Sequence, residues 1–175
     1  MAWAQSEITW SKGTVELLDP KNEQVANLFV SSCHAAGHRW YTQYLPPHFE
    51  ESAPAKYNAA VPGAYRKLSK KYVKAKGHSR PMVNSGEMKN TILGGPLTYQ
   101  NVRSNRILRV TIKPPRSPLL NLWQGGHRKH DFARALLAMT SGEAKVLLQI
   151  IEDRITAGVA KIEARGGTVK RRFVA

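Results

Sequence analysis

Cysteine, long apolar runs and a secretory start are absent or nearly absent from this sequence, and each absence excludes a class of protein. The single Cys33 excludes an internal disulfide and any zinc site built from several cysteines of one chain. No run of about 18 apolar residues occurs, so we expect no transmembrane helix and no membrane partner. The first seven residues carry neither a positive start nor an apolar core, so we expect no signal peptide. These features are typical of a protein made in a reducing compartment.

Acidic residues are scarce in the middle of the chain, where most of the positive charge lies. Residues 52–130 hold 16 bases and one acid, whereas residues 1–51 hold 3 bases and 6 acids, and residues 131–175 hold 8 bases and 5 acids. The net charge of the whole chain is +15. Such a field favours contact with nucleic acid or with an acidic protein surface, and it does not determine the fold. The alternative interpretation is a basic face that is simply solvated.

Adjacent carboxylates occur twice, and neither pair suits general acid–base catalysis. Glu50-Glu51 fall in an expected loop, and Glu152-Asp153 are neighbours on an expected helix, where they point in different directions. The glycine pairs Gly94-Gly95 and Gly125-Gly126 lack the following lysine of a phosphate-binding loop, so we interpret them as turns.

The histidines have the spacing of metal ligands in one place, but they lack acidic partners. His34 and His38 are four residues apart on an expected helix, yet no glutamate adjoins them. His127 and His130 flank Arg128-Lys129, whose charges would lower metal affinity. We therefore predict no catalytic, cofactor-binding or metal-binding residue, and a protein that is not an enzyme. A metal-dependent nuclease that uses His127 or His130 is the least favoured alternative.

Helical periodicity predicts one long helix near each end of the chain. The first begins at Asp19-Pro20, a good N-cap followed by proline, and its apolar stripe continues to about Tyr44. The second covers residues 141–165, because Thr140 and Glu143 have the spacing of a capping box before an apolar repeat. Residues 45–62 are rich in proline and alanine, and we interpret them as a loop or ordered connector.

Two shorter helices are predicted in the basic middle. The first runs from Ala64 to about Ala75 and is covered with lysines. Its candidate contacts with a partner or with DNA are Lys67, Lys70, Lys71 and Lys74. The second runs from Gly86 to Ile92, with Ser85 as its N-cap and with Met88 and Ile92 facing the core.

A β-hairpin is predicted over residues 97–113. Its return strand alternates most clearly, with Leu108, Val110 and Ile112 on one face and a solvated, basic face opposite. Three hairpin arginines are further candidate contacts: Arg103, Arg106 and Arg109.

Together these elements predict an α+β fold with an antiparallel sheet built on a central hairpin. Helices, including a long C-terminal helix, pack against the sheet, and extended loops or arms complete the fold. The expected organisation is an N-terminal arm or short strands (1–18), a single α+β domain (19–165) and a basic C-terminal tail (166–175).

One stretch carries a resemblance to a known family. Pro81-Met82-Val83-Asn84-Ser85-Gly86-Glu87-Met88-Lys89-Asn90-Thr91-Ile92 follows a basic helix. It resembles the Thr/Ser-Gly-x-Leu/Met-x-x-Ser/Thr-Ile signature of the tailed-bacteriophage virion-morphogenesis and tail-completion proteins. The parts that follow in that family are similar to Leu97–Lys113, Trp123–Gly126, His130–Leu137 and Thr140–Arg165. The resemblance covers about residues 62–165. The chain departs from the pattern at Asn84-Ser85, where Arg-Thr is frequent, and at Asp131-Phe132-Ala133, where Pro-Phe is usual.

The resemblance implies a structural virion protein of the head–tail junction, made in the host cytoplasm. Its copies would form a ring, a hexamer or alternatively a dodecamer, that joins tail to capsid and surrounds the path of the genomic DNA. The implied partners are neighbouring neck, portal-adaptor or tail-tube proteins, with nonspecific contact to DNA and without catalysis or cofactor. The main competing interpretation is a basic protein that binds nucleic acid nonspecifically and acts alone.

Overall fold

The fold is α+β, as predicted from the sequence. A computed structural model describes residues 6–7, 17–18, 23–65, 67–81, 83, 86–103, 108–113, 132–167, 169 and 171–172. Its helices are α1 (Glu23–Arg39), α2 (Ala53–Ala60), α3 (Lys70–Lys76), α4 (Glu87–Gly94), α5 (Phe132–Leu137) and α6 (Ser141–Ala164). Its strands are β1 (Ser6–Glu7), β2 (Leu17–Leu18), β3 (Thr98–Arg103), β4 (Leu108–Lys113) and β5 (Arg171–Arg172).

The hairpin of β3 and β4 is the centre of the larger sheet. Its two strands pair antiparallel from Thr98 with Lys113 to Arg103 with Leu108, and β1 pairs antiparallel with the other edge of β4. A second, two-stranded sheet pairs β2 with β5. The second face of the hairpin is not wholly solvated, because Thr111 is buried along with Val110 and Ile112.

The two long helices lie against each other, and α1 also packs against β4. The beginning of α1 meets the end of α6, where Val25 packs with Val159. Gly37 allows α1 to approach the sheet closely, since a Cβ atom there would lie 2.4 Å from Cδ1 of Ile112. The main core lies between these elements, and Ile92 and Ile151 are fully buried in it.

The capping box at the start of α6 is confirmed. The Thr140 hydroxyl accepts from the Glu143 backbone amide at 3.2 Å, and the Glu143 carboxylate accepts from the Thr140 amide at 2.9 Å. The helix ends as predicted at Gly166-Gly167, where Gly166 has φ 78° and the Gly167 amide bonds the Ile162 carbonyl at 3.0 Å.

The first helix reaches its predicted end at Tyr44, but it changes from α-helix to π-helix before that end. Within the described residues α1 begins at Glu23, and Asp19-Pro20 lie outside them. The α-helix ends at Arg39 and continues as a π-helical segment, Trp40–Tyr44. Within this segment the Tyr41 hydroxyl lies 2.7 Å from the Ile92 carbonyl oxygen and 2.6 Å from that of Gly95, at the end of α4.

The sequence allows residues 45–62 to be a loop or an ordered connector; the segment is ordered, and the loop interpretation is wrong. A 3₁₀ turn occupies Pro46–Phe49 and α2 follows at Ala53–Ala60. Leu45, Phe49 and Tyr57 are fully buried there, so the segment belongs to the core.

Candidate interaction surface

The lysine-rich segment forms a short helix that contributes nothing to the core. The whole lysine-rich segment, residues 67–80, is named the basic arm. Within it, α3 begins after Ser69, whose hydroxyl accepts from the Tyr72 amide at 3.2 Å, and ends at Gly77 with φ 77°. No residue of α3 is buried. The helix is shorter than the predicted Ala64–Ala75 and begins later.

The late start of α3 follows from the hydrogen bonds that the Asn58 side chain makes to the backbone of Tyr65. Asn58 bonds both backbone groups of this residue: its Nδ2 donates to the Tyr65 carbonyl at 2.9 Å, and its Oδ1 accepts from the Tyr65 amide at 2.7 Å. The Tyr65 ring is buried, and its hydroxyl lies 2.6 Å from Nδ1 of His48. Because the backbone of Tyr65 is engaged with α2, it cannot start the helix that the lysine pattern suggested.

The far end of the basic arm is attached to the same part of the protein. The Ser79 amide donates to Oε1 of Glu51 at 3.2 Å, and Pro81 and Val83 are buried immediately afterwards. Tyr65 at one end and Pro81 with Val83 at the other therefore fix where the arm leaves and re-enters the body of the protein.

All four predicted lysine contacts lie exposed on the basic arm: Lys67, Lys70, Lys71 and Lys74. Two ion pairs occur within the described residues, Lys56 with Glu143 and Lys89 with Glu50, and neither uses these lysines. Their charge is therefore not neutralised by the described part of the protein.

A fifth lysine of the arm behaves differently. The Lys76 ammonium donates to the Arg80 carbonyl and lies 5.4 Å from the centroid of the Tyr72 ring. Burial lowers the pKa of Lys76. This lysine serves the internal structure of the arm.

The three hairpin arginines stay a prediction as contact residues. In the backbone ladder Arg103 pairs with Leu108 and Arg109 pairs with Val102. The side chains of both arginines, and all of Arg106, lie outside the described residues.

Three of the four predicted structural residues around α4 are described. Gly86, with φ 84°, occupies the N-cap position, so the prediction of Ser85 as N-cap is corrected; Ser85 itself lies outside the described residues. Met88 and Ile92 face the core as predicted, with 8% and 0% of their surface exposed. A left-handed glycine thus starts α4, and only its lack of a Cβ makes this conformation inexpensive.

Beneath the arm lies a buried polar network that the sequence reasoning missed. His48 is fully buried, and its ring stacks on that of Tyr57 with centroids 3.8 Å apart. The Tyr65 hydroxyl also lies 3.2 Å from the carbonyl oxygen of His48. Burial lowers the pKa of His48 to about 4, so the imidazole is neutral at neutral pH.

The same network reaches the start of α6 through Glu143. Its Oε1 is 2.6 Å from the Lys56 ammonium and 3.2 Å from the Tyr57 hydroxyl. Burial alone would raise the pKa of Glu143, but the hydrogen bonds from Lys56 and from the Thr140 amide outweigh it, and the pKa is lowered. Glu143 is therefore both half of a capping box and the link between α2 and α6.

A sequence signal for part of this network does exist. The role of Glu143 in the capping box was predictable, whereas its pairing with Lys56, 87 residues away, depends on the tertiary fold.

The structure describes part of the residues considered as metal ligands. Cys33 is buried and its pKa is raised to about 12 by burial, and the His34 ring stacks on Tyr99 with centroids 3.9 Å apart. No group of three or more potential ligands that could hold a metal occurs among the described residues. His127 and His130 lie outside them.

Comparison with protein-family models, with curated proteins and with solved structures found no match for this chain. None of the helices in the described ranges has both the length and the apolar character needed to cross a membrane.

Proposed function

We propose that the protein is a structural subunit of the bacteriophage head–tail junction. Its copies would assemble into a ring that joins tail to capsid around the path of the genomic DNA. The proposal assigns the chain no catalytic role, and it places the protein in the virion, next to neck, portal-adaptor or tail-tube proteins.

The observation that carries the proposal is the unneutralised basic arm on an otherwise well-packed α+β body. The arm supplies four exposed lysines without burying a residue of α3, so its composition is free to serve a partner. In a ring around DNA, a positive surface of this kind would attract the phosphates of the passing duplex.

The order of elements also supports the proposal. A basic helix, a glycine-started helix α4, the β3–β4 hairpin and the capped helix α6 follow in the order that the family resemblance implies. Because ring closure requires heterologous contacts, each subunit must present two different surfaces to its neighbours.

The test is the oligomeric state of the purified protein. We expect sedimentation velocity at rising protein concentration to show a closed oligomer, and negative-stain images to show rings with a central opening. A protein that stays monomeric at every concentration, and that binds neither neck proteins nor tail tubes, would contradict the proposal.

A further inference from the structure

The charge of the basic arm is unusual because its lysines are neither paired nor packed. Lys67, Lys70, Lys71 and Lys74 are exposed, and none takes part in the two ion pairs of the described residues. The arm therefore holds four like charges close together in sequence, a repulsive arrangement that an external anion would relieve.

The composition of the arm indicates which anion. Protein–protein interfaces have an apolar centre and are depleted in lysine. The large apolar side chain exposed on α3 is that of Tyr72, with 40% of its surface exposed, and no residue of α3 is buried. A surface of lysines without an apolar centre fits a polyanion that is recognised through its charges.

We propose that the basic arm binds the phosphate backbone of duplex DNA, without reading its sequence, through Lys67, Lys70, Lys71 and Lys74. An ammonium group is a compact point charge that contacts phosphate oxygens without fixing the identity of a base. Duplex DNA offers a phosphate charge about every 1.7 Å along its axis, so four neighbouring lysines can each find one.

The position of Tyr72 favours a duplex over a single strand. Single-stranded nucleic acid is held by stacking of its bases on aromatic rings. The Lys76 ammonium lies over the Tyr72 ring at 5.4 Å, so that face of the ring is already occupied. The arm therefore offers four exposed charges to a phosphate backbone and a single ring face to a base.

The placement of this duplex in the channel of a ring rests on the proposed function, whereas the binding itself can be measured on the free protein. The probe is a pair of fluorescent DNA duplexes of equal length and unrelated sequence. Anisotropy gives the affinity of the whole chain between about 50 and 200 mM salt, and the slope of log K against log salt counts the phosphate contacts.

The arm variant carries four substitutions: Lys67→Gln, Lys70→Gln, Lys71→Gln and Lys74→Gln. We expect the steepness of its salt slope to fall by about 3 to 4, since each contact contributes about 0.9. The two duplexes should bind alike. The matched control removes four exposed charges from α1 and α6 instead: Arg39→Gln, Lys145→Gln, Arg154→Gln and Lys161→Gln. It should change the slope by less than about 1.

Three results would overturn the proposal. Equal losses in the arm and control variants would mean that only net charge matters. Tighter binding of single strands than of duplex would remove the duplex assignment. Stronger competition by poly-glutamate than by DNA of equal charge would indicate an acidic protein as the occupant of the arm.

The same samples separate this proposal from the proposed function. An arm variant that still forms rings but loses DNA binding supports both. Chains that bind DNA through the arm yet form no ring support the arm and contradict the junction subunit.

Discussion

His48 and Tyr65 show how single buried residues position the exposed arm. The imidazole and the phenol share a 2.6 Å hydrogen bond in a site where both rings are buried. Leaving either partner unpaired there would cost about 1 to 3 kcal/mol. The arm begins directly after this pair, so the chemistry of two buried side chains fixes where the lysines emerge.

Acidification should destabilise the protein through His48. Its pKa is about 4 in the folded state, below the ordinary value of 6.5, so the unfolded chain binds the proton more readily between these values. The stability that depends on neutral His48 is complete above about pH 6.5. It is lost as the pH falls towards about 4, and the loss is roughly 3 kcal/mol.

The measurement is urea unfolding of the wild type and His48→Phe at several pH values. Phenylalanine keeps a ring against Tyr57 but does not titrate. The difference in unfolding free energy between the two proteins should shift in favour of the variant on acidification. Glu143 also destabilises the protein as the pH falls, because its pKa is lowered in the folded state. Both proteins contain Glu143, so its contribution cancels in this comparison. A difference that is constant with pH would contradict the role given to His48.

Lys56 and Glu143 should be coupled in stability. Their charged atoms are 2.6 Å apart, and 41% of the Lys56 side chain is exposed, compared with 7% for Glu143. Because water screens the lysine, we expect a coupling free energy of about 1 kcal/mol in a double-mutant cycle of Lys56→Gln and Glu143→Gln. Glutamine at position 143 can still serve the capping box.

The Lys89–Glu50 pair is the control for this cycle. Its charged atoms are 3.0 Å apart and the Glu50 side chain is 48% exposed, so its coupling should be smaller and should fall further with salt. Equal couplings in the two cycles would show that burial of Glu143 does not strengthen its pair.

Among the helices, the contact between α1 and α6 depends on a glycine. A Cβ atom at Gly158 would lie 2.4 to 2.9 Å from three atoms of the Leu28 side chain. These distances are too short for a carbon–carbon contact, so either Leu28 or the helix must move. The packing of α6 on α1 therefore leaves no room for a side chain at position 158 unless Leu28 moves.

Gly158→Ala should destabilise the protein by about 1 to 2 kcal/mol, although alanine favours helix more than glycine does. Gly142→Ala is the matched control, because the nearest atom to its Cβ is 4.0 Å away, and it should be neutral or slightly stabilising. Thermal unfolding of both variants and of Gly158→Ala with Leu28→Ala measures the effect. The cost of the alanine at 158 should decrease once Leu28 is shortened, and an unchanged cost would place the strain elsewhere.

Local sequence signals predicted some elements well, because their residues act on their own helix or strand. Thr140 and Glu143 cap α6 across three residues, and the alternation in β4 places Val110 and Ile112 in the core. The misses have tertiary causes. Residues 45–62 are structured because Tyr57 is buried and donates a hydrogen bond to Glu143 of α6, and α3 starts late because Asn58 holds the backbone of Tyr65.

The site was predictable in the same uneven way. A run of lysines without acids identified the basic arm from composition alone. The buried residues that position the arm, His48 and Tyr65, could not be predicted. They come into contact only in the folded protein, and neither belongs to a recognisable motif. The arginines of the hairpin stay a prediction, since their side chains lie outside the described residues.

In the molecule as a whole, the elements that form the apolar core are different from the helix that carries the exposed lysines. The apolar clusters hold α1, α2, α4, α6 and the hairpin together, while α3 buries nothing. The net charge of +15 opposes the compact state through self-repulsion, and salt screens that repulsion. The arm should therefore lower the stability of the isolated protein.

Removal of charge from the arm should leave the fold intact and make it slightly more stable. The arm variant lowers the net charge from +15 by four without touching a buried residue. We expect its Tm at low salt to rise by a few degrees, because about 1 kcal/mol corresponds to about 2 to 4 °C for a chain of this size. We also expect a weaker rise of Tm with salt than in the wild type.

Calorimetry of the wild type, the arm variant and the α1–α6 control variant at low and high salt tests this expectation. A similar gain in both variants would reflect total charge, and a larger gain in the arm variant would reflect the closeness of its four lysines. A lower Tm in the arm variant would mean that these lysines hold the fold together. Loss of DNA binding without loss of stability would instead show that the lysines serve a ligand.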